Sequence, residues 1–166
     1  MSVTNVLEIL QKKVPEAVEC QNLDVKFVRG TDPQIKVPSV RVGAVAGCLK
    51  EAGFDLLNFL TAVDYLKEER FELIYQFIKT SDPAFSVIVK TDLPRSGSPS
   101  LPSIVEFYAA ADWQERETYD LFGITFVGHP NPRRILLWEG YPGWPLRKDY
   151  VHTLDKYDNG SEIGLP

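Results

Sequence analysis

The chain has 166 residues, of which 44% are hydrophobic, enough to bury a core in one domain. Its formal net charge of -5 argues against nucleic acid, which calls for a basic surface. Two cysteines are too few for a four-cysteine iron–sulfur cluster, and no apolar run approaches the ~20 residues that span a bilayer.

Taken in chain order, the first element is a helix over Asn5 to Lys13, with Val6, Leu7, Ile9 and Leu10 on its apolar stripe and Pro15 just beyond. Glu8 interrupts that stripe and no basic run precedes it, so it does not read as a signal peptide. Short strands are expected at Asp24–Val28 and Gln34–Val37. A second helix runs from about Val40 to Ala52, with Ser39 as N-cap and Gly53 as C-cap. Gly43 and Gly47 within it read as packing residues.

The middle of the chain reads as sheet. Leu56 to Val63 is almost continuously apolar, as a buried strand would be. Phe71 to Lys79 alternates, with Phe71, Leu73, Tyr75 and Phe77 on one side. Phe85 to Lys90 alternates again after the turn residues Ser81-Asp82-Pro83, which predicts an antiparallel hairpin. Thr91 to Ser103, rich in Pro and Ser, reads as a surface loop.

Helix signals resume with Ser103-x-x-Glu106, which fits a capping box, and Asp112-x-x-Glu115 repeats the pattern. A break near Ala110 would separate the two. Ile104, Tyr108, Ala111, Glu115, Thr118 and Phe122 share one stripe, which puts Glu115 on an otherwise apolar side. Arg116 stands four residues from both Asp112 and Asp120 and is placed to bridge them. A buried Glu115 needs a partner, and Arg133, Arg134, Arg147 and Lys148 are the basic groups at hand, for Glu117 as well. Gly123 closes the helix, and Ile124 to Val127 reads as a short strand.

From Gly128 on, prolines, glycines and aromatics replace any helical or strand period. Such a segment cannot build its own core, yet Trp138, Tyr141 and Trp144 are costly to leave in water. They must lie on this domain or on another protein. The expected organisation is an α+β domain over residues 1–127, two-layered, with a mixed or mostly antiparallel sheet and helices on one face. An extended C-terminal arm over residues 128–166 is expected to lie, at least in its second half, on a partner chain.

Site chemistry is sparse. His129 and His152 are the only histidines, and no C-x-x-C, H-x-x-x-H, G-x-G-x-x-G or G-x-S-x-G pattern occurs. Glu115 and Glu117 could act as acid and base in a free-standing enzyme, but i and i+2 positions of a helix face different sides.

The run Glu115-Arg116-Glu117-Thr118-Tyr119-Asp120-Leu121-Phe122-Gly123-Ile124 is followed by Gly128-His129-Pro130, Arg133-Arg134-Ile135-Leu136 and Pro145-Leu146-Arg147-Lys148-Asp149-Tyr150. This combination resembles the signature of the thirty-kilodalton subunit of respiratory complex I, the proton-pumping NADH:quinone oxidoreductase. The strand end Thr61-Ala62-Val63-Asp64 is similar as well, so the resemblance spans roughly residues 56–150. Two departures are Asn131-Pro132 after Gly-His-Pro, where the family often has an acidic and then an apolar residue, and Trp144, where it usually has histidine.

The resemblance implies a cofactor-free subunit of the complex's peripheral arm. Its partners would be the forty-nine-kilodalton-type subunit that shapes the quinone site and the iron–sulfur subunits, with FMN and clusters held by those partners. It implies no nucleic acid and membrane contact only through partners, on the cytoplasmic side of a bacterial plasma membrane. Glu115, Arg116, Glu117, Asp120, His129, Arg133, Arg134, Trp138, Trp144, Pro145, Leu146, Arg147, Lys148, Asp149 and Tyr150 would form the partner interface, with no catalytic, cofactor or metal residue. The alternative is the same scaffold role in a related hydrogenase, F420-linked or photosynthetic complex.

Overall fold

A computed structural model describes residues 3–19, 33–82 and 85–151. Cys20, the expected strand Asp24–Val28, Pro83 of the expected turn and His152 lie outside these residues. The described elements, in order, are α1 (Val3–Gln11), β1 (Val18–Glu19), β2 (Gln34–Lys36), α2 (Val42–Glu51), β3 (Leu56–Tyr65), β4 (Arg70–Ile78), β5 (Ser86–Pro94), β6 (Ser100–Pro102), α3 (Ala111–Phe122) and β7 (Thr125–Val127).

The main sheet has the strand order β1-β2-β5-β4-β3. Its pairs are antiparallel except β2 with β5, which run parallel, so the sheet is mixed. Alternation sorts its side chains. Phe71, Leu73, Tyr75 and Phe77 of β4 join Val87, Val89 and Leu93 of β5 on the face that meets Leu10, Val45, Leu49 and Phe122 of the helices. The helices thus cover one face, as expected for α+β in two layers. Each of these large side chains contributes about 1.5–3 kcal/mol by leaving water. Gly47 lets α2 approach the loop before α3, because a Cβ there would come within 3.2 Å of Phe107.

Four local expectations are corrected. The strand expected to end at Lys90 runs on to Pro94: Thr91 and Leu93 continue the inward face and pair with Leu73 and Phe71. Within the supposed loop, Ser100–Pro102 forms β6, which pairs in parallel with β7. Residues 103–110 make turns rather than helix, closed by the Phe107 and Tyr108 N–H groups donating to the Ile104 carbonyl. Ser103 therefore caps no helix, and neither does Ser39, since α2 is preceded by a 3-10 turn over Ser39–Arg41. Both serines satisfy the capping pattern in sequence, but the chain continues into turn geometry after each.

Candidate functional site

Helix α3 is the centre of the signature. Its apolar side is as expected for Ala111, Glu115, Thr118 and Phe122, which are all buried; Ile104 and Tyr108 are buried too, but from the turns that precede the helix. Leu121 and Phe122 lead into Gly123, whose φ of 70° reverses the chain.

Asp120, on the last turn of α3, is fully buried and organises the segment that follows. Its Oδ2 accepts the N–H groups of Ile135, Leu136 and Leu137 at 3.0, 2.7 and 2.9 Å. Its Oδ1 accepts from Arg134 Nη1 at 2.8 Å. Arg134 also donates to the carbonyls of Asp120, Tyr141 and Gly143, and its guanidinium lies 4.4 Å from the Trp144 ring centroid. One carboxylate and one guanidinium thereby fold residues 134–144 into a fixed loop against α3. Burial pushes the Asp120 carboxyl up, but the hydrogen bonds from Leu137, Ile135, Arg134 and Leu136 outweigh it and hold the group below the usual carboxylate range.

Arg116 does not bridge Asp112 and Asp120. Its Nε and Nη2 donate to the carbonyls of Arg133 and Arg134, both at 3.1 Å. Glu115 does not meet a basic group from the tail either. It accepts from the Ser103 hydroxyl at 2.6 Å and the Ile104 N–H at 2.8 Å. The i+4 spacing permits side-chain pairs, but unpaired backbone groups of the neighbouring loops compete for the same side chains and win. Glu117 projects into solvent, so the two glutamates share no site. His129 is buried, with Nε2 3.1 Å from the Asp112 carbonyl oxygen.

The C-terminal stretch folds back as well. The Leu146 N–H donates to the Leu121 carbonyl, and Arg147 Nε donates to the Phe122 carbonyl at 2.6 Å. The Arg147 guanidinium sits 5.1 Å from the centroid of Phe71. The Lys148 N–H donates to Asp64 Oδ2 at 2.8 Å, and Arg95 links Asp64 to Asp149. Tyr141 is buried, and Tyr150 donates to its hydroxyl at 3.0 Å. Residues 128–151 are therefore fastened to the chain's own helix and sheet.

The residues singled out from sequence fall into two sets. Glu115, Arg116, Asp120, His129, Arg134, Trp144, Arg147 and Tyr150 face inward or lie half-buried. Pro145 is half-buried as well, while Glu117, Arg133, Trp138, Leu146, Lys148 and Asp149 face outward. Trp113 and Leu136 join the outward set at 64% and 63% exposure, beside Trp138 at 55%. Asp64, Arg95, Ser103 and Tyr141 are members of the inward set that sequence reasoning did not assign. Asp64 was the most findable, as a lone acid at the end of an apolar strand.

A groove runs along α3. A cavity of about 200 Å3 is lined by Glu115, Arg116, Tyr119, Thr125, Phe126, His129 and Pro132. A more polar hollow of about 600 Å3 shares Arg116, Tyr119 and Pro132 with it and extends to Arg133, Ile135 and Glu139. Among the described residues no group of three or more His, Cys, Asp or Glu is placed to hold a metal, and no helix is long and apolar enough to cross a membrane.

This arrangement has close counterparts. The J subunit of the NAD(P)H-quinone oxidoreductase of Synechococcus sp. (strain WH7803) is 42% identical over 125 residues, covering 71% of this chain and 69% of that one. The C subunit of the NADH-quinone oxidoreductase of Moorella thermoacetica is 38% identical over 147 residues, covering 88% and 93%. Among solved structures, a chain of the membrane-bound sulfane sulfur reductase, an archaeal respiratory membrane complex, superposes with a TM-score of 0.74 at 26% identity, covering 98% of this chain and 95% of that one. The trypsin-resistant fragment of Nqo5 does so at 0.63 and 28% identity, covering 79% and 99%. Residues 35–156 match the model of the respiratory-chain NADH dehydrogenase 30 kDa subunit, and the chain belongs to that family.

Proposed function

We propose that this chain is a scaffold subunit, without a redox group of its own, in the peripheral arm of a proton-translocating NADH:quinone oxidoreductase. In this reading it sits on the cytoplasmic side of the membrane and contacts the forty-nine-kilodalton-type quinone-site subunit and the iron–sulfur subunits. Electrons pass from NADH through FMN and iron–sulfur clusters, held by partners, to quinone.

One observation carries this reading. The inward set around Asp120 and Arg134 holds a loop that leaves Leu136 and Trp138 exposed, and Trp113 is exposed on α3. Rigid display of large apolar side chains is what an interface needs, because little ordering entropy remains to be lost on docking. The relatives' names, as C and J subunits of NADH- and NAD(P)H-quinone oxidoreductases, support the assignment. The likeness to a chain of the sulfane sulfur reductase complex favours one second reading, the same scaffold role with a different electron donor or acceptor.

Affinity purification of the tagged full-length chain from its host tests both. The expected result is co-purification with a forty-nine-kilodalton-type subunit and flavin-bearing NADH-binding subunits. Partners of a hydrogen- or sulfur-linked complex would establish the second reading. A stoichiometric flavin or cluster in the chain purified alone would overturn the cofactor-free role.

Variants separate docking from folding. Leu136→Ser and Lys148→Ala alter exposed side chains, so they should weaken co-purification while changing unfolding free energy by no more than about 0.5 kcal/mol. Arg147→Ala removes the bond to the Phe122 carbonyl and should lower the melting temperature of the chain itself. Thermal melts beside pull-downs would show the split; equal melting losses in all three would argue against it.

A further inference from the structure

The Glu115 carboxylate is placed where no permanent cation neutralises it. Its side chain has no solvent exposure, and its oxygens accept from the Ser103 hydroxyl and the Ile104 N–H. The charged and titratable groups around it come from three elements. On α3 itself, Asp112 adds a like charge, and Arg116 turns its guanidinium to the carbonyls of Arg133 and Arg134. From β4, Tyr75 is fully buried and its hydroxyl has no hydrogen-bond partner. From the turn after β7, His129 brings Nε2 to 3.9 Å from Glu115 Oε2.

His129 is itself constrained from both sides. Its Nδ1 accepts the Asn131 N–H at 3.0 Å. Its Nε2 lies 3.1 Å from the Asp112 carbonyl oxygen, which can only accept. Both contacts require the same tautomer, with the ring proton on Nε2. A second proton on Nδ1 would break the bond to Asn131 and release the turn that this bond closes. The seated turn thus aims the Nε2–H at the Asp112 carbonyl rather than at Glu115, which lies 3.9 Å away. Asp112 Oδ1, 3.3 Å from Nε2, is buried without a hydrogen bond of its own.

We propose that Glu115, His129 and Asp112 form a buried site for one exchangeable proton, and that release of this proton unseats the Gly128–Pro132 turn from α3. With the proton on Glu115 the cluster holds a neutral acid: Oε1 still accepts the Ile104 N–H, and the short contact with Ser103 is kept with the acid O–H donating to the Ser103 hydroxyl oxygen. When the proton leaves to solvent, a bare carboxylate remains in a dry site next to Asp112, and it must be hydrated. The cavity walled by Tyr119, Thr125, Phe126, His129 and Pro132 is the side from which water reaches it, and His129 and Pro132 of the turn are the wall that gives way when the carboxylate is hydrated. Burial pushes Glu115 up to about 7, with Asp112 adding to the rise and the Ile104 and Ser103 hydrogen bonds opposing it, so the event falls near neutral pH. Because Arg133 and Arg134 follow directly, the loop held on Asp120 is coupled to the same proton. The site belongs to the chain's own fold and operates whichever complex the chain enters.

The test is carbon-13 NMR of the full-length chain labelled at glutamate, with amide hydrogen exchange, from about pH 5 to about pH 9. The Glu115 carboxyl resonance is expected to titrate near 7, apart from the exposed glutamates. Protection of the Asn131 amide, corrected for intrinsic exchange, should fall by up to about tenfold per pH unit from about 4.5 towards that midpoint, the slope for one linked proton, and level off above it. Glu115→Gln should abolish this dependence, and Asp112→Asn should move the midpoint to lower pH. Titration of Glu115 with the surface glutamates, or the same loss of protection in Glu115→Gln, would overturn the proposal. If Glu115→Gln does not fold, the wild-type midpoint and its displacement in Asp112→Asn decide the matter.

Discussion

Asp120→Ala should lower the unfolding free energy by about 3–5 kcal/mol, the range for removing one partner of a buried charge pair. The substitution strips Arg134 of its carboxylate and leaves the N–H groups of Ile135, Leu136 and Leu137 without an acceptor. Asp120→Asn keeps an acceptor oxygen but turns an amide NH2 toward donors, so about 2 kcal/mol is expected there. Urea unfolding followed by tryptophan fluorescence checks both, since Trp138 and Trp144 stand in the affected loop. A loss under about 1 kcal/mol in Asp120→Ala would mean that the loop is not pinned by this residue.

The same carboxylate sets an acid limit. Its folded-state pKa lies below that of the unfolded chain, so its contribution is present above the ordinary aspartate range and is lost as pH falls through the depressed value. Glu115 works in the opposite sense. Its pKa is raised from 4.5 to about 7, so its contribution is full below 4.5 and is lost as pH rises through about 7. Two acids five positions apart on one helix thus bound the stable pH range from opposite ends. Charge alone cannot distinguish them: Asp120 has an arginine and three backbone donors, and Glu115 has a hydroxyl and one backbone donor.

Gly123→Ala should cost about 3 kcal/mol, combining left-handed backbone strain with overpacking. Its φ is 70°, and a Cβ there would stand 2.5 Å from the Trp144 ring. The indole would have to leave its place beside Tyr119 and under Arg134, and the arm would shift with it. Gly97→Ala provides the control, because Gly97 has nearly the same φ, 73°, with nothing within 4 Å of a Cβ. Only the strain, about 1 kcal/mol, should appear there. Comparable losses at both positions would show that Trp144 yields freely.

Elements whose character is local were legible from the residues. The amphipathic stripe near the N-terminus, the alternation of Phe71, Leu73, Tyr75 and Phe77, and Gly123 as a helix stop depend on near neighbours in sequence and on the periods of helix and strand. The family was legible too, because most of its signature residues stand in four short runs within residues 115–150.

What could not be read were the consequences of distant segments meeting. The parallel pairing of β2 with β5 and of β6 with β7 joins backbones far apart in the chain, and hydrogen-bonded backbone carries no residue code. The continuation of β5 through Thr91 and Leu93 depends on Leu73 and Phe71 being opposite, not on the Pro-rich composition that follows.

The tail is the clearest case. Its aromatics and prolines announced a segment without a core of its own, and a partner chain was the natural place for it. Over residues 128–151 the chain's own surface takes part, where Asp120, Arg116 and Asp64 offer hydrogen bonds to backbone groups that no periodic structure satisfies. Residue types and spacing settled which side chains carry charge and which face of α3 is apolar. Which charge meets a guanidinium, which meets a bare N–H and which stays a buried acid was left to the folded arrangement, because the partner of a buried polar group is whatever donor or acceptor packing brings within about 3 Å.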